Sequence, residues 1–358
     1  MGSAIAPEQL VSGARTAESV GFEEIWLAED YFFTGGISGA TMVLDATSKI
    51  KVATGIVSAM VRHPAVLAME ISTLSRAHPG RFTAGIGLGV PAWLRQMGLH
   101  PPSSLTAMRE CVESVKALLE GQELSFEGST FSFDKVKLTY PEHVPTPLHM
   151  GVSGPKMLQL SGRIADGTVL SVAASHDYVR WAKQQIGIGA EAAGRTEKHH
   201  ITVFALYSVD RNPLVARDAV RGPLGFYKSH GTNALTDIYG NSAQIEELLT
   251  KYGTESFAEH MPSQWIEDLT IAGSPAECAN KIRAFGEAGA DTVALFPLPT
   301  ERLDDLIALT AREGLPILGT SLRNSEHVIS PKGELRLYLP VHFTFNTSEN
   351  RININLTT

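Results

Sequence analysis

Lys51-Val52-Ala53-Thr54-Gly55-Ile56-Val57, a helical pattern over Ala65 to Arg76, and Arg81-Phe82-Thr83-Ala84-Gly85-Ile86 follow one another directly. The outer two are short apolar, β-branched runs, and the segment between them recurs with helical spacing. Strand, helix and strand in that order read as one βαβ unit, and the same rhythm continues in both directions.

Upstream, a helix from Pro7 to Val20 is stopped by Gly21, and Glu24-Ile25-Trp26-Leu27-Ala28 reads as a strand. Downstream come a helix over Leu105–Leu119 and strands at Leu148–Val152, Gly167–Ser171, Ile201–Val209 and Asp291–Phe296. Helices are expected at Pro155–Arg163 and Asp177–Ala193, and Ser274-Pro275-Ala276-Glu277 opens another with a capping box and proline at its first position. The strands are apolar on both sides, as when helices cover one face and a packed barrel interior the other. The expected fold is α/β, a (β/α)8 TIM barrel over residues 1–321, with insertions at about 122–146 and 212–270. The first insertion has hairpin character, with its turn at Phe126-Glu127-Gly128-Ser129, and the second reads as two or three helices.

Seven strands are counted where a closed barrel needs eight, and the vacancy is the first strand, since the helix at Pro7 leaves no room before it. The tail over 322–358 contains no alanine, and five of the nine asparagines fall in the last 35 residues. Within it, 334–345 is expected to hold a strand, read from Glu334-Leu335-Arg336-Leu337-Tyr338-Leu339-Pro340-Val341. Two readings stand for that segment: it supplies the vacant first strand, as in a circular permutation, or it is an artefactual tail on a truncated barrel.

The chain has 358 residues, 43% hydrophobic and 19% charged, with a formal net charge of −8 and a pI near 5.9. An ordinary apolar fraction excludes global disorder, and the negative balance with no basic run argues against a nucleic-acid partner. Two cysteines, Cys111 and Cys278, exclude a disulfide framework and suit a reducing cytoplasm. No signal-peptide pattern and no apolar run of membrane-spanning length occurs, so a cytoplasmic protein without membrane contact is expected.

In a parallel barrel the chemistry sits at the C-terminal strand ends. That rule selects Glu29, Asp30 and Tyr31 after the first run, and Ser58 through Arg62 and His63 after the next. Gly85-Ile86-Gly87-Leu88-Gly89 and Gly151-Val152-Ser153-Gly154-Pro155-Lys156 complete the selection. One of Glu29 and Asp30 can face the barrel mouth as an acid, base or acceptor; an exposed loop acid is the plain alternative. Ser153–Lys156 is either a tight loop opening a helix or a phosphate site built on a helix N-terminus. The glycines at 85–89 are not followed by a helix and Pro91 interrupts them, so a dinucleotide fingerprint is rejected. Their expected use is to let a flat ring lie close to the backbone. His63 either orients a substrate or precedes a helix with Pro64 at its first position, and Trp93 is a pocket wall or an ordinary loop tryptophan. His199-His200 is expected to be solvated. No metal-ligand spacing and no nucleophile elbow is present.

Together these segments resemble the luciferase-like monooxygenase superfamily. The resemblance is carried by Ile25-Trp26-Leu27-Ala28-Glu29-Asp30-Tyr31, Ala46 through Val57, Arg62 through Glu70, and Gly80 through Gly87. Gly154-Pro155-Lys156 with Ala165-Asp166-Gly167, and Ala272 through Cys278, extend it in register over roughly residues 7 to 318. It is closest in character to the branch with methylenetetrahydromethanopterin reductase and other enzymes of coenzyme F420, FMN being the alternative coenzyme. The resemblance implies hydride transfer to or from a small organic substrate, or, with FMN, monooxygenation by reduced flavin and O2. A non-catalytic flavin- or deazaflavin-binding barrel is the reading from another class, and an unrelated phosphate-binding isomerase or aldolase explains none of these motifs.

By resemblance the ring lies against a non-prolyl cis peptide near Gly55-Ile56, with Val57, Ser58, Gly85, Gly87, Gly151 and Val152 around it. The coenzyme phosphate then sits at Ser153, Gly154, Pro155 and Lys156. Glu29 and Asp30 are the implied catalytic pair; Tyr31, His63 and Trp93 are the implied substrate contacts. A homodimer is expected.

Overall fold

The computed structural model describes residues 5–324. Its strands are β1 (Glu24–Leu27), β2 (Lys51–Thr54), β3 (Val57–Ser58), β4 (Phe82–Gly87), β5 (Leu124–Glu127), β6 (Ser132–Val136), β7 (Leu148–Gly151), β8 (Gly167–Leu170), β9 (His200–Val209), β10 (Ile271–Gly273) and β11 (Thr292–Pro297). The main sheet runs β1-β2-β4-β7-β8-β9, with β10 and β11 both pairing β9 and β3 pairing β4. Every one of these pairings is parallel; β5 and β6 form a separate antiparallel hairpin. The sheet curls as a parallel barrel wall, and helices such as Pro64–Ala77 and Pro155–Ile164 return the chain between successive strands.

Both faces of the wall are packed. All six residues of β4 are buried. Outward-pointing Ile25, Leu27, Val52, Phe82, Ala84 and Ile86 join the helix layer in one large core, and Ile201, Val203 and Ala205 do so in another. Inside the curl, Trp26, Ala53 and Val169 pack with Ile56, Phe204 and Ala294. This two-sided burial makes parallel strands read as continuous apolar runs.

The barrel wall expected from the sequence is present strand for strand. The Gly55–Ile56 peptide is cis, and it divides the run at 51–57 into β2 and β3, both paired with β4. Among the described residues β1 pairs only β2, and β11 only β9. The strand expected over 334–345 lies outside the described residues.

Several expectations are corrected. Helix Gly36–Ala46 is absent from the sequence reading, and the glycines at 85–89, expected to have no helix after them, are followed by the short helix Pro91–Gln96, which Pro91 opens. Proline suits that place because the first helical N–H has no intrahelical partner. The second insertion holds five helices from Pro213–Lys228 to Ser263–Leu269, not two or three, followed by the unforeseen strand β10. The hairpin turn falls at 128–131, later than expected, because the Glu110 carboxylate collects the backbone N–H groups of Ser129, Thr130 and Phe131. His199 and His200 are held rather than solvated: their Nε2 atoms bond Thr168 Oγ1 at 2.7 Å and Thr292 Oγ1 at 2.8 Å. Cys111 and Cys278 are buried free thiols.

Candidate active site

Glu29 follows β1 at the C-terminal end of the wall and is buried. Its two carboxylate oxygens accept Arg62 Nη1 at 2.8 Å and Nη2 at 2.9 Å, a bidentate pair across 33 residues of sequence. Oε2 also accepts the Gly36 N–H at 2.7 Å, and the Tyr31 hydroxyl reaches Oε1 at 3.5 Å. Arg62 further pairs with Glu70 at 3.1 Å. The hydrogen bonds it donates to Glu29 hold the Arg62 guanidinium above its ordinary pKa, so this group carries its charge throughout. Glu29 is thus fully engaged by donors, in a geometry that fixes a carboxylate.

Tyr31 leans over Ser58, Gly89 and Trp93. Its ring centroid is 6.1 Å from that of Trp93, edge to face, and a Cβ at Gly89 would lie 3.2 Å from Ser58 Oγ and 3.7 Å from Tyr31 Cε2. Gly89 has φ +92°, a left-handed conformation in which glycine is at ease. Ser58 Oγ donates to the Leu88 carbonyl at 2.7 Å and accepts the Met60 N–H at 3.1 Å. Burial pushes the Tyr31 phenol up to about 12, so it keeps its proton at neutral pH. Asp30 is half-buried beside Tyr227, whose phenol burial and the Asp30 charge together push up to about 12. Phe32 and Phe33 beyond it are exposed.

The glycines have a different immediate purpose from the one expected. A Cβ at Gly87 would lie 2.7 Å from Ile56 Cδ1, and one at Gly151 would lie 2.6 Å from Ile56 Cγ2. At Gly85 it would meet the Thr54 carbonyl oxygen at 2.1 Å. Gly87 and Gly151 therefore seat the side chain of Ile56, which stands on them just after the cis bond, and Gly85 admits the backbone of β2. Gly55 completes the packing, since a Cβ there would meet Phe204 Cζ at 2.3 Å. Val57 is fully buried beneath this floor.

Beyond Gly151 and Val152, the chain turns through Ser153 into the ten-residue helix Pro155–Ile164, with Gly154 as N-cap and no side chain capping it. The Tyr178 hydroxyl donates to the Ser153 carbonyl at 2.7 Å and pins the turn. Nothing lies within 4 Å of a Cβ built on Gly154, and Pro155 and Lys156 are exposed. The first-turn N–H groups and the Lys156 charge therefore face open space.

His63 is not gathered into the Glu29–Tyr31 group. Its Nδ1 accepts the Ala65 N–H at 3.2 Å as the cap of helix Pro64–Ala77, and its Nε2 lies 3.3 Å from the Ser132 carbonyl. The ring packs on Phe131 and Phe133 of the hairpin. The alternative in which Pro64 takes the first helical position is the one realised. The grouping of Arg62 with Glu29, and the contacts of Phe204 and Tyr178, escaped the sequence reading; only the position of Arg62 in the strand-end segment pointed to it. No cluster of potential metal ligands occurs among the described residues, and none of their helices is long and apolar enough to cross a membrane.

A curled parallel wall with a cis peptide after β2, a glycine-seated Ile56 and an open helix N-terminus after β7 gives the setting for comparison with known proteins. The chain belongs to the luciferase-like monooxygenase family, whose model matches residues 1–292, and it is an enzyme of that family. Within it, the 5,10-methylenetetrahydromethanopterin reductase of Methanolobus tindarius is 27% identical over 282 residues, 77% of this chain and 86% of that protein. The F420-dependent glucose-6-phosphate dehydrogenase of Kineococcus radiotolerans is 24% identical over 329 residues, 87% of this chain and 94% of its own. Among solved structures, the coenzyme F420-dependent tetrahydromethanopterin reductase of Methanopyrus kandleri has a TM-score of 0.78 at 25% identity, covering 88% of this chain and 97% of that one.

Proposed function

We propose that this chain is an F420-dependent oxidoreductase that moves hydride between the deazaflavin and a small organic substrate. The observation that carries the reading is the open N-terminus of helix Pro155–Ile164 lying along the strand ends from Ile56. It offers an anion seat at one end and an apolar, glycine-backed platform at the other. These residues suit a phosphate-bearing planar coenzyme. Backbone N–H groups after Gly154 and the Lys156 ammonium take the phosphate, helped by the helix dipole. Ile56, raised on Gly87 and Gly151, supports one face of the ring. When bound, the deazaflavin supplies hydride transfer at its ring carbon C5.

The protein's share is position and protons. Glu29, its oxygens taken by Arg62, Gly36 and Tyr31, is a positioning residue that fixes the Tyr31 hydroxyl over Ser58. Tyr31 is protonated at neutral pH, and on substrate binding its one O–H hydrogen turns from Glu29 Oε1, 3.5 Å away, to a substrate oxygen. Asp30, half-buried beside Tyr227, is the second carboxylate of this strand end and is assigned the acceptance or return of a proton. Trp93 and the exposed Phe32 and Phe33 wall the mouth and keep water from the ring's free face. The family relationship supports a small-molecule substrate; a homodimer in the cytoplasm is part of the same proposed reading.

The test is a pair of fluorescence titrations of the purified chain, one with coenzyme F420 and one with FMN. Micromolar or tighter binding of F420 alone supports deazaflavin hydride transfer. Preference for FMN moves the assignment to flavin monooxygenation. Tight F420 binding without turnover over a broad panel of alcohols, aldehydes and enones supports a non-catalytic carrier barrel and overturns the reading.

A further inference from the structure

Helix Pro213–Lys228 packs against β9 and β10. Its buried side includes a stripe of every fourth residue, Ala216, Val220, Leu224 and Lys228. The first three join Leu206 in one apolar core, against which Phe204 and Phe296 also pack. Phe204 and Ala294 belong to the packing inside the curl, and strand alternation puts Leu206 and Phe296, two residues further on, on that same inner side. The helix therefore lies across the C-terminal mouth of the barrel. Its last turn reaches the rim beyond β1, where the Asp30 charge acts on Tyr227.

Lys228 continues this apolar stripe one turn past Leu224, but with a charged group. It is 2% exposed, and among the described residues it makes no hydrogen bond and no ion pair. The other part-buried cations are treated differently: Arg62, Arg217 and Lys281 each hold a carboxylate. An ammonium taken out of water without a partner is costly, and a methionine would fill the same place without that cost. Burial lowers the ammonium pKa to about 8 with no neighbouring charge offsetting it, so the group is still charged at pH 7.

We propose that Lys228 anchors an anionic group of the substrate, a carboxylate or a phosphate ester, so that the enzyme acts on organic anions with an apolar body. This rests on reading the barrel mouth as the substrate site. An oxyanion arriving at Lys228 supplies the partner that the fold withholds, and it does so where water screens the pair little. Leu206 and Phe296 beneath, and the exposed Phe226 on the same helical turn, offer apolar surface to the rest of the molecule. A neutral analogue would leave the ammonium buried and unpaired, so the site discriminates by charge more than by shape.

The test is equilibrium binding of benzoate, phenyl phosphate and benzyl alcohol to the full chain, followed by calorimetry without coenzyme. The three share a ring; the first two carry the two candidate anions and the third is neutral. At least one anion is expected to bind about tenfold or more tighter than the alcohol. The tighter of the two identifies the anion the site prefers. Lys228→Met and Lys228→Gln are each expected to abolish the preference while leaving benzyl alcohol binding unchanged. Both variants remove an unpaired buried charge, so both are expected to unfold no earlier than the unmodified chain. Equal affinity for the three compounds, a preference that survives in either variant, or no binding of either anion in the millimolar range overturns the proposal. Coenzyme F420 titrated into the same preparations separates the two readings. Coenzyme binding with no anion preference refutes this proposal alone; a Lys228-dependent preference without coenzyme binding refutes the deazaflavin reading alone.

Discussion

Replacing Arg62 by methionine removes both donors that hold Glu29 while keeping an apolar stem of similar length. The pair is bidentate at 2.8 and 2.9 Å, with side-chain exposures of 19% for Arg62 and 4% for Glu29. Opposite charges about 4 Å apart attract by about 4 kcal/mol at an effective dielectric of about 20. Stripping one partner from a buried pair costs about 3–5 kcal/mol, since the other charge remains. The Gly36 N–H at 2.7 Å still solvates the carboxylate, which places Arg62→Met at the lower end, about 3 kcal/mol. Glu29→Gln is milder, about 1–2 kcal/mol, because Arg62 retains Glu70 at 3.1 Å and a partly wet position. The double variant removes the buried charge that Arg62→Met alone leaves at Glu29, keeps only the half-buried Glu70 carboxylate, and is expected at about 2 kcal/mol, well below the sum of the singles. Urea unfolding with unchanged m-values measures all three. Additivity within about 0.5 kcal/mol, or a cost for Arg62→Met below about 1 kcal/mol, would show that the pair does not hold this end of the barrel.

The glycine floor gives a graded pair. Gly85→Ala drives a methyl against the backbone carbonyl of Thr54 and is expected to cost about 3 kcal/mol or more, whereas Gly87→Ala meets only the movable end of Ile56 and costs about 1 kcal/mol; thermal unfolding ranks them. Lys228 is 2% exposed and burial lowers its pKa to about 8, from 10.5. Between those values the unfolded chain binds a proton that the folded chain does not, so stability from this group rises with pH, and its penalty is full below pH 8. Lys228→Met is therefore expected to stabilise by up to about 3 kcal/mol at neutral pH, with the gain shrinking toward pH 10; a gain independent of pH contradicts the assignment. Gly154→Ala meets no atom within 4 Å and lowers stability by no more than about 1 kcal/mol, the cost of a poorer N-cap, as thermal unfolding would show. The same variant weakens coenzyme binding about tenfold or more by filling the anion seat, as an equilibrium titration would show.

The barrel wall was legible because its strands are buried on both faces and read as unbroken apolar runs between helices. What escaped were elements too short or too plain to carry a period, such as β10 with three residues and helix Pro91–Gln96 with six. The strand-end rule selected Glu29, Tyr31 and Ser58, which the fold brings together beside Trp93, and also His63, which it turns to the hairpin. Nothing local distinguishes those fates, because they depend on which strand end each residue faces after the wall has curled. The Glu29–Arg62 pair joins residues 33 apart, and the seating of Ile56 on Gly87 and Gly151 joins three strand ends. Glycine spacing announced a close approach at this place without saying that an isoleucine, rather than a ligand, makes it first.

The most direct test of the central claim is a crystal structure of the full chain grown with oxidised coenzyme F420. The account predicts the coenzyme phosphate within hydrogen-bond distance of the first-turn N–H groups after Gly154, with the ring resting on Ile56 and its free face toward Tyr31. Coenzyme bound elsewhere on the barrel, or a ring lying away from Ile56 with the Gly154 turn empty, would contradict it.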